Sequence, residues 1–405
     1  MINITENSSI KDVLSVIAVA GELSPKSLSA LGEENTLKRL IKKGTVLQEY
    51  RNAEDGSRAT ATLFMVSGHG AEKTIRLKKE GIEVLNWVAD AEYYKVAFCR
   101  NNFGSGSKVK RHHTLAEAAM LFQSAGIEIQ PYNLPTLSGS IKNCREFNRP
   151  YFYTSTVLKY RVLQDLGEYD RITRMSTSRF AGMFTTPGNG VFAIYNTGNS
   201  PISLNINAET NLKHEISDLK RTTFYSPLDV LLKKNTYQAI VLCSDFKTGY
   251  TTAVTGMFEG DKSKWKTNTR RENLSDIFDY CHGVTLDDFG AKMLLMFSVP
   301  NYYTQLKRAL FSDWTLLDNY KSLFDARRTN ENGQNILAAM LFDFDFKRIE
   351  KLKGSIEFRK TIDTVYEIYA FQEQCEFLDD LLGKDFKIVP CVMDAALELL
   401  WHGRY

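Results

Sequence analysis

The chain has 405 residues, of which 43% are hydrophobic and 24% charged, with a formal net charge of +3. That exceeds one typical core, fits two or three globular domains and excludes a disordered or fibrous chain. The six cysteines (Cys99, Cys144, Cys243, Cys281, Cys375, Cys391) contain no Cys-x-x-Cys pair, so neither a zinc ribbon nor a disulfide framework is indicated.

No basic-then-apolar leader opens the sequence and no apolar run is long enough to span a membrane, so a cytoplasmic protein without membrane contact is expected. Lys plus Arg against Asp plus Glu runs 17 to 15 over 1–130, 25 to 19 over 131–330 and 9 to 14 over 331–405. The basic excess therefore sits in the middle and the tail is acidic.

Helices are predicted over 9–20, 25–31 and 35–43. Ser24 caps the second with Pro25 at its first position, and Gly44 stops the third. A strand over 46–50, a turn over 52–57, a return strand over 59–65, then a short strand over 73–77 and a helix over 78–85 complete the order of a winged helix-turn-helix spanning 1–90. Its third helix carries Lys38, Arg39, Lys42 and Lys43. This helix is the one that would enter a major groove of duplex DNA, with Arg58 on the hairpin beside the phosphates. The competing reading makes those lysines a solvated face on a module that binds protein.

Residues 91–150 read as a basic loop and a connecting helix. The Gly- and Ser-rich loop 101–111 carries Lys108, Lys110 and Arg111, and is either a phosphate contact or an exposed linker. Gly104-Ser105-Gly106 lacks the third glycine of a dinucleotide fingerprint, so no nucleotide cofactor is expected. A helix follows over 111–122, with Thr114 and Glu117 as a capping box. The neighbouring His112 and His113 diverge at its start and have no Cys or carboxylate at ligand spacing, so no metal is expected there.

Residues 151–330 read as a mixed α/β domain. Strands are predicted over 151–158, 179–186 and 191–195, with Pro187-Gly188-Asn189-Gly190 as a hairpin turn. A helix follows over 208–221, a strand over 238–244, a helix over 273–280 and a strand over 292–298. The loop 261–271 sets Trp265 between Lys264 and Lys266, a candidate contact for a nucleic-acid backbone or single strand, unless Trp265 merely anchors the loop. Residues 331–405 read as an acidic helical tail, with helices from 335–341, over 361–382 and over 392–401. Within it, Asp343-Phe344-Asp345-Phe346 is either an exposed edge or partner-binding segment, or a short core strand. The tail packs on the middle domain or mediates self-association.

The segment Lys73 to Leu85, the helix opening Arg111-His112-His113-Thr114-Leu115 and the strands 178–184 and 191–198 together resemble the replication-relaxation proteins of bacterial plasmids and conjugative elements. Those proteins join an amino-terminal winged helix to a nuclease-like α/β domain. The resemblance implies a DNA-binding protein of a bacterial mobile genetic element, partnered by duplex DNA and by other DNA-processing proteins of that element. It also implies one carboxylate on each of the two strands, to hold magnesium against the scissile phosphate. Those places hold Ala181 and Asn196, so a nuclease-like scaffold without its metal site, and without a cofactor, is expected. The alternative is a magnesium-dependent nuclease or nicking enzyme built on Asp245, Asp287 and Asp288 at strand ends. Glu209, His214 and Glu215 on the helix between are further acid and base candidates. The expected fold class is α+β or mixed α/β: a winged helix, a mixed-sheet nuclease-like domain and a helical carboxy-terminal region.

Overall fold

The computed structural model describes residues 1–70, 73–89, 106–130, 149–155, 178–186, 190–223, 237–255, 273–317, 323–356 and 364–402. Lys264, Trp265 and Lys266 and the turn 187–189 lie outside them. The described residues form a mixed α+β protein with twelve α-helices. It divides into two compact units, one of residues 1–136, 151–173 and 180–184, the other of 137–150, 174–179 and 185–405.

The first unit opens with β1 (Ile2–Ile4) and α1 (Ser9–Ala20). Helix α1 buries Ile10, Val13, Leu14, Val16, Ile17 and Val19, as a helix apolar on every side must. A 3-10 turn over Pro25–Leu31 follows, its Ser24 hydroxyl accepting from the Lys26 N–H at 3.3 Å, and then α2 (Glu34–Gly44). Strand β2 (Gln48–Asn52) pairs parallel with β1 and antiparallel with β3 (Arg58–Ala61). A separate hairpin joins β4 (Phe64–Ser67) to β5 (Thr74–Leu77), and α3 (Lys79–Leu85) follows.

The predicted return strand 59–65 is therefore two strands in two sheets. The break falls at buried Leu63, whose N–H donates to the Gly44 carbonyl at 2.9 Å and whose carbonyl accepts from the Lys78 N–H at 2.8 Å. With both backbone groups taken, Leu63 cannot continue a ladder. Gly44 permits this packing, since a Cβ there would lie 2.5 Å from Phe64 Cδ2. Beyond α1, Leu23 and Ile75 exchange backbone hydrogen bonds of 2.9 and 2.8 Å, so β5 runs beside the exit of α1.

Helix α4 (Gly106–Ser124) packs on α1 and on the 3-10 turn. It starts five residues before the predicted position, which puts Lys108, Lys110 and Arg111 on a helix instead of in a loop. Its glycine sits only at the first position, and the Lys, Val and Arg that follow propagate a helix at little cost. Strands β6 (Glu128–Gln130) and β7 (Tyr151–Thr154) pair in parallel, and most of β8 (Phe180–Thr186) belongs to this unit. Phe122 of α4 stacks on Phe152 at 4.2 Å and meets Phe184 at 5.0 Å, which joins helix and strands in one core.

In the second unit, β9 (Gly190–Gly198), α5 (Ile206–Thr223), β10 (Gln238–Cys243), α6 (Phe246–Tyr250), α7 (Leu274–Ile277), β11 (Tyr280–Thr285), α8 (Asp288–Phe297) and α9 (Tyr302–Leu310) follow in turn. Strands β9, β10 and β11 are parallel neighbours in that order. The predicted helix 273–280 is the short α7 followed by β11, and the predicted strand 292–298 is helix α8. A second sheet runs β12 (Thr315–Leu316), β13 (Ala326–Thr329), β14 (Asn335–Met340), β15 (Thr364–Phe371) and β16 (Lys387–Cys391), its last three strands parallel. Helices α10 (Phe346–Ile356) and α11 (Gln372–Leu382) make the crossovers, and α12 (Met393–His402) ends the described chain. The tail is thus two βαβ crossovers and not a helical region: β14 and β15 stand where helix was predicted.

The segment Asp343-Phe344-Asp345-Phe346 is a buried turn and not an exposed edge. Phe344 adopts φ 47°, in the left-handed region that side chains avoid. The Cys281 N–H donates to Asp345 Oδ1 at 2.9 Å and the Gly283 N–H to the Phe344 carbonyl at 3.0 Å, so the turn closes the outer edge of β11. No described helix is long and apolar enough to cross a membrane.

Candidate nucleic-acid interface

Helix α2 is sharply two-sided. Leu37, Ile41 and Gly44 are buried, while Lys38, Arg39, Lys42 and Lys43 are all exposed. At 100° per residue the four cations cover an arc of about 140° opposite the buried face, with exposed Asn35 inside it. Lys38 forms an i,i+4 ion pair with Glu34, and among the described residues no carboxylate bridges Arg39, Lys42 or Lys43. The Thr45 hydroxyl donates to the Lys42 carbonyl at 2.8 Å and closes the helix. Two exposed apolar residues follow at once, Val46 (54% exposed) and Leu47 (67%).

Arg58 is exposed on β3, and its guanidinium lies 3.6 Å from Glu49 Oε1 on β2, a contact that offsets part of its charge. The other hairpin, β4 to β5, presents exposed His69, Gly70 and Lys73 at its tip, and the positive φ of Gly68 and Gly70 (80° and 58°) makes the turn. On α4, Lys110 is exposed and Arg111 half-buried.

The acidic candidates lie at the carboxy ends of adjacent parallel strands, where ligands of α/β sheets bind. Asp245 caps α6, accepting from the Thr248 N–H (2.8 Å), Thr248 Oγ1 (2.9 Å) and Ser244 Oγ (2.9 Å). Partial burial pushes its carboxyl up, but these hydrogen bonds outweigh that and hold it below the usual carboxylate range. Asp287 caps α8, accepting from the Gly290 N–H (2.9 Å) and Thr285 Oγ1 (2.6 Å). Asp288 is exposed in the first turn of the same helix.

Both cap carboxylates are committed to helix starts, and among the described residues no three His, Cys, Asp or Glu side chains come together as metal ligands. Ala181 is buried in β8, and buried Asn196 in β9 accepts the Gly198 N–H at 2.9 Å. Glu209 is buried and accepts from Ser178 Oγ (2.6 Å), Tyr195 Oη (2.7 Å) and the Arg179 N–H (3.0 Å), while His214 is exposed on the same helix.

Sequence reasoning missed a second group of polar residues around Glu22, a fully buried carboxylate beside Arg76, Thr74, His112 and His113. Only the adjacent histidines drew notice, and their partners lie some 40 and 90 residues away in sequence. Comparison with protein-family models, with curated proteins and with solved structures found no match to this chain.

Proposed function

We propose that the chain is a DNA-binding protein of a bacterial mobile genetic element whose first unit is a winged helix that reads duplex DNA. The carrying observation is α2: Lys38, Arg39, Lys42 and Lys43 are exposed together opposite a buried face, the charge distribution of a helix laid in a major groove. The wing is reassigned from the β2–β3 hairpin with Arg58 to the β4–β5 hairpin, because β5 is the strand bridged to the exit of α1. On this reading the second unit is a nuclease-like scaffold without catalysis, adding backbone contacts or recruiting partners. The capping roles of Asp245 and Asp287 argue against the nuclease alternative. The mobile-element setting rests on the sequence resemblance alone.

The test is fluorescence anisotropy of the full chain on duplex DNA from around its own gene and a scrambled control, across a salt series. Removing two phosphate contacts with Arg39→Ala plus Lys42→Ala should weaken binding at least about tenfold and reduce the log–log salt slope by about 1.8. Unchanged affinity in that variant would sink α2 as the recognition helix. The exposed Val46 and Leu47 beside it favour a second reading, a winged helix that binds protein. That reading requires negligible duplex affinity of the wild type even at low salt.

A further inference from the structure

Glu22 is 0% exposed and sits between three elements of the first unit: the exit of α1, strand β5 and helix α4. Its Oε1 lies 2.7 Å from Arg76 Nη2 of β5, and its Oε2 accepts from Thr74 Oγ1 at 3.3 Å. His113 Nε2 of α4 is 3.2 Å from the same threonine hydroxyl. A hydroxyl has one proton and here gives it to Glu22, so His113 must be the donor at Nε2. His112 Nδ1 lies 3.9 Å from Glu22 Oε2. One turn along α4, Glu117 accepts from Ser27 of the 3-10 turn at 3.4 Å.

A buried ion pair contributes little net stability compared with apolar packing, and its best-attested use is to fix one geometry among several. Thr74 and Arg76 flank Ile75, the residue through which β5 bridges Leu23, and Thr74 pairs with Ser67 beside the turn, so the network grips β5 from its turn end inward.

We propose that Glu22 is a positioning residue for the β4–β5 hairpin, holding β5 to the exit of α1 through Arg76 and to α4 through Thr74 and His113, so that wing and α2 meet the duplex in one geometry. The inference rests on the DNA-binding reading, but its mechanical half stands apart from it. The ionisable groups facing the carboxylate are Arg76 on β5 and His112 on α4, with His113 reached through Thr74. Burial pushes the Glu22 carboxyl up against the pull of Arg76, and lowers the His113 imidazole. Acidification therefore neutralises Glu22 sooner than an exposed glutamate and leaves it in the state that glutamine imitates.

The experiment uses the full chain with Glu22→Gln and Thr74→Val, read by amide exchange of β4–β5 peptides and by duplex anisotropy at pH 8 and pH 5.5. Glu22→Gln should speed β4–β5 exchange and weaken the duplex by about tenfold each, with α2 exchange and the salt slope unchanged. As the pH falls, the gap between wild type and the variant in β4–β5 exchange and in affinity should narrow. Thr74→Val should act in the same sense, and it decides the matter if Glu22→Gln fails to fold. Wild-type exchange of β4–β5 in both variants overturns the proposal. If wild type binds no duplex, the DNA reading has failed, and exchange alone judges Glu22.

Discussion

Replacing Asp343 by asparagine should stabilise the second unit at neutral and alkaline pH and do nothing for it in acid. Asp343 is 7% exposed, and among the described residues its Oδ1 has no hydrogen-bond partner. Its Oδ2 lies 3.7 Å from His282 Nδ1, and that nitrogen also lies 2.9 Å from the Asp343 carbonyl. The guanidinium of Arg348 is committed elsewhere, to Asp325 Oδ2 at 2.7 Å and to the Leu323 and Met340 carbonyls at 2.7 and 3.0 Å. Burial first, with the charges of Asp345 and Asp325 adding and those of His282 and Arg348 opposing, pushes the Asp343 carboxyl from 3.8 up to about 6.

A carboxyl raised in the folded state contributes stability that is fully present below about pH 4 and is lost as pH rises through about 6. The gap corresponds to at most about 3 kcal/mol. Asparagine keeps the shape without the charge, so the unfolding free energy of Asp343→Asn minus that of wild type should grow by about 1–3 kcal/mol between pH 4 and pH 8. The change with pH is the quantity to measure, because any packing cost of the substitution is the same at both ends. Urea titration read by amide exchange at β14 and α10 isolates this unit. A difference that stays flat with pH, or that falls, refutes the argument.

Gly44→Ala should destabilise the first unit by about 1–3 kcal/mol, because the new Cβ meets the buried Phe64 ring at 2.5 Å, and a lowered melting temperature with reduced duplex affinity would show it. Asp287→Ala should cost about 1 kcal/mol through loss of the α8 cap, and no magnesium-dependent cleavage should be present in wild type for it to remove. Detection of such cleavage, abolished by this substitution or by Asp245→Asn, would restore the nuclease alternative.

What the sequence disclosed and what it hid follow from the range of the forces involved. Ser24-Pro25 and Gly44 mark the first three helical elements because caps and stops are local chemistry. The segment 292–298 reads as a strand because a buried helix and a buried strand share one nearly unbroken apolar pattern. The Asp287 cap and the helix-forming Leu and Met were the better guide. The reverse holds at 335–341: Ile336, Leu337, Met340 and Leu341 match a helical period, yet β14 buries the successive residues Ala338, Ala339 and Met340, which lie on both of its faces, and so has no need of alternation.

The split at Leu63 depends on Gly44 and Lys78, some 15 to 20 residues away in sequence, and no local pattern announces it. The basic face of α2 was legible because it needs only one helix and its period. The Glu22 network was not, since it exists only once α1, β5 and α4 have met.

The turn at Asp343 to Phe346 bears on self-association. An outermost strand ordinarily offers a row of open amides and carbonyls to any other chain, and solvent-facing charges are one defence against that. At β11 the defence comes from the chain itself: a carboxylate and a main-chain carbonyl from its later sequence accept hydrogen bonds from the amides of Cys281 and Gly283. The strained backbone at Phe344 is the cost of aiming both acceptors at one strand. Copies of this protein cannot join through the outer side of β11 without first expelling the turn, so an assembly of the second unit has to use other faces.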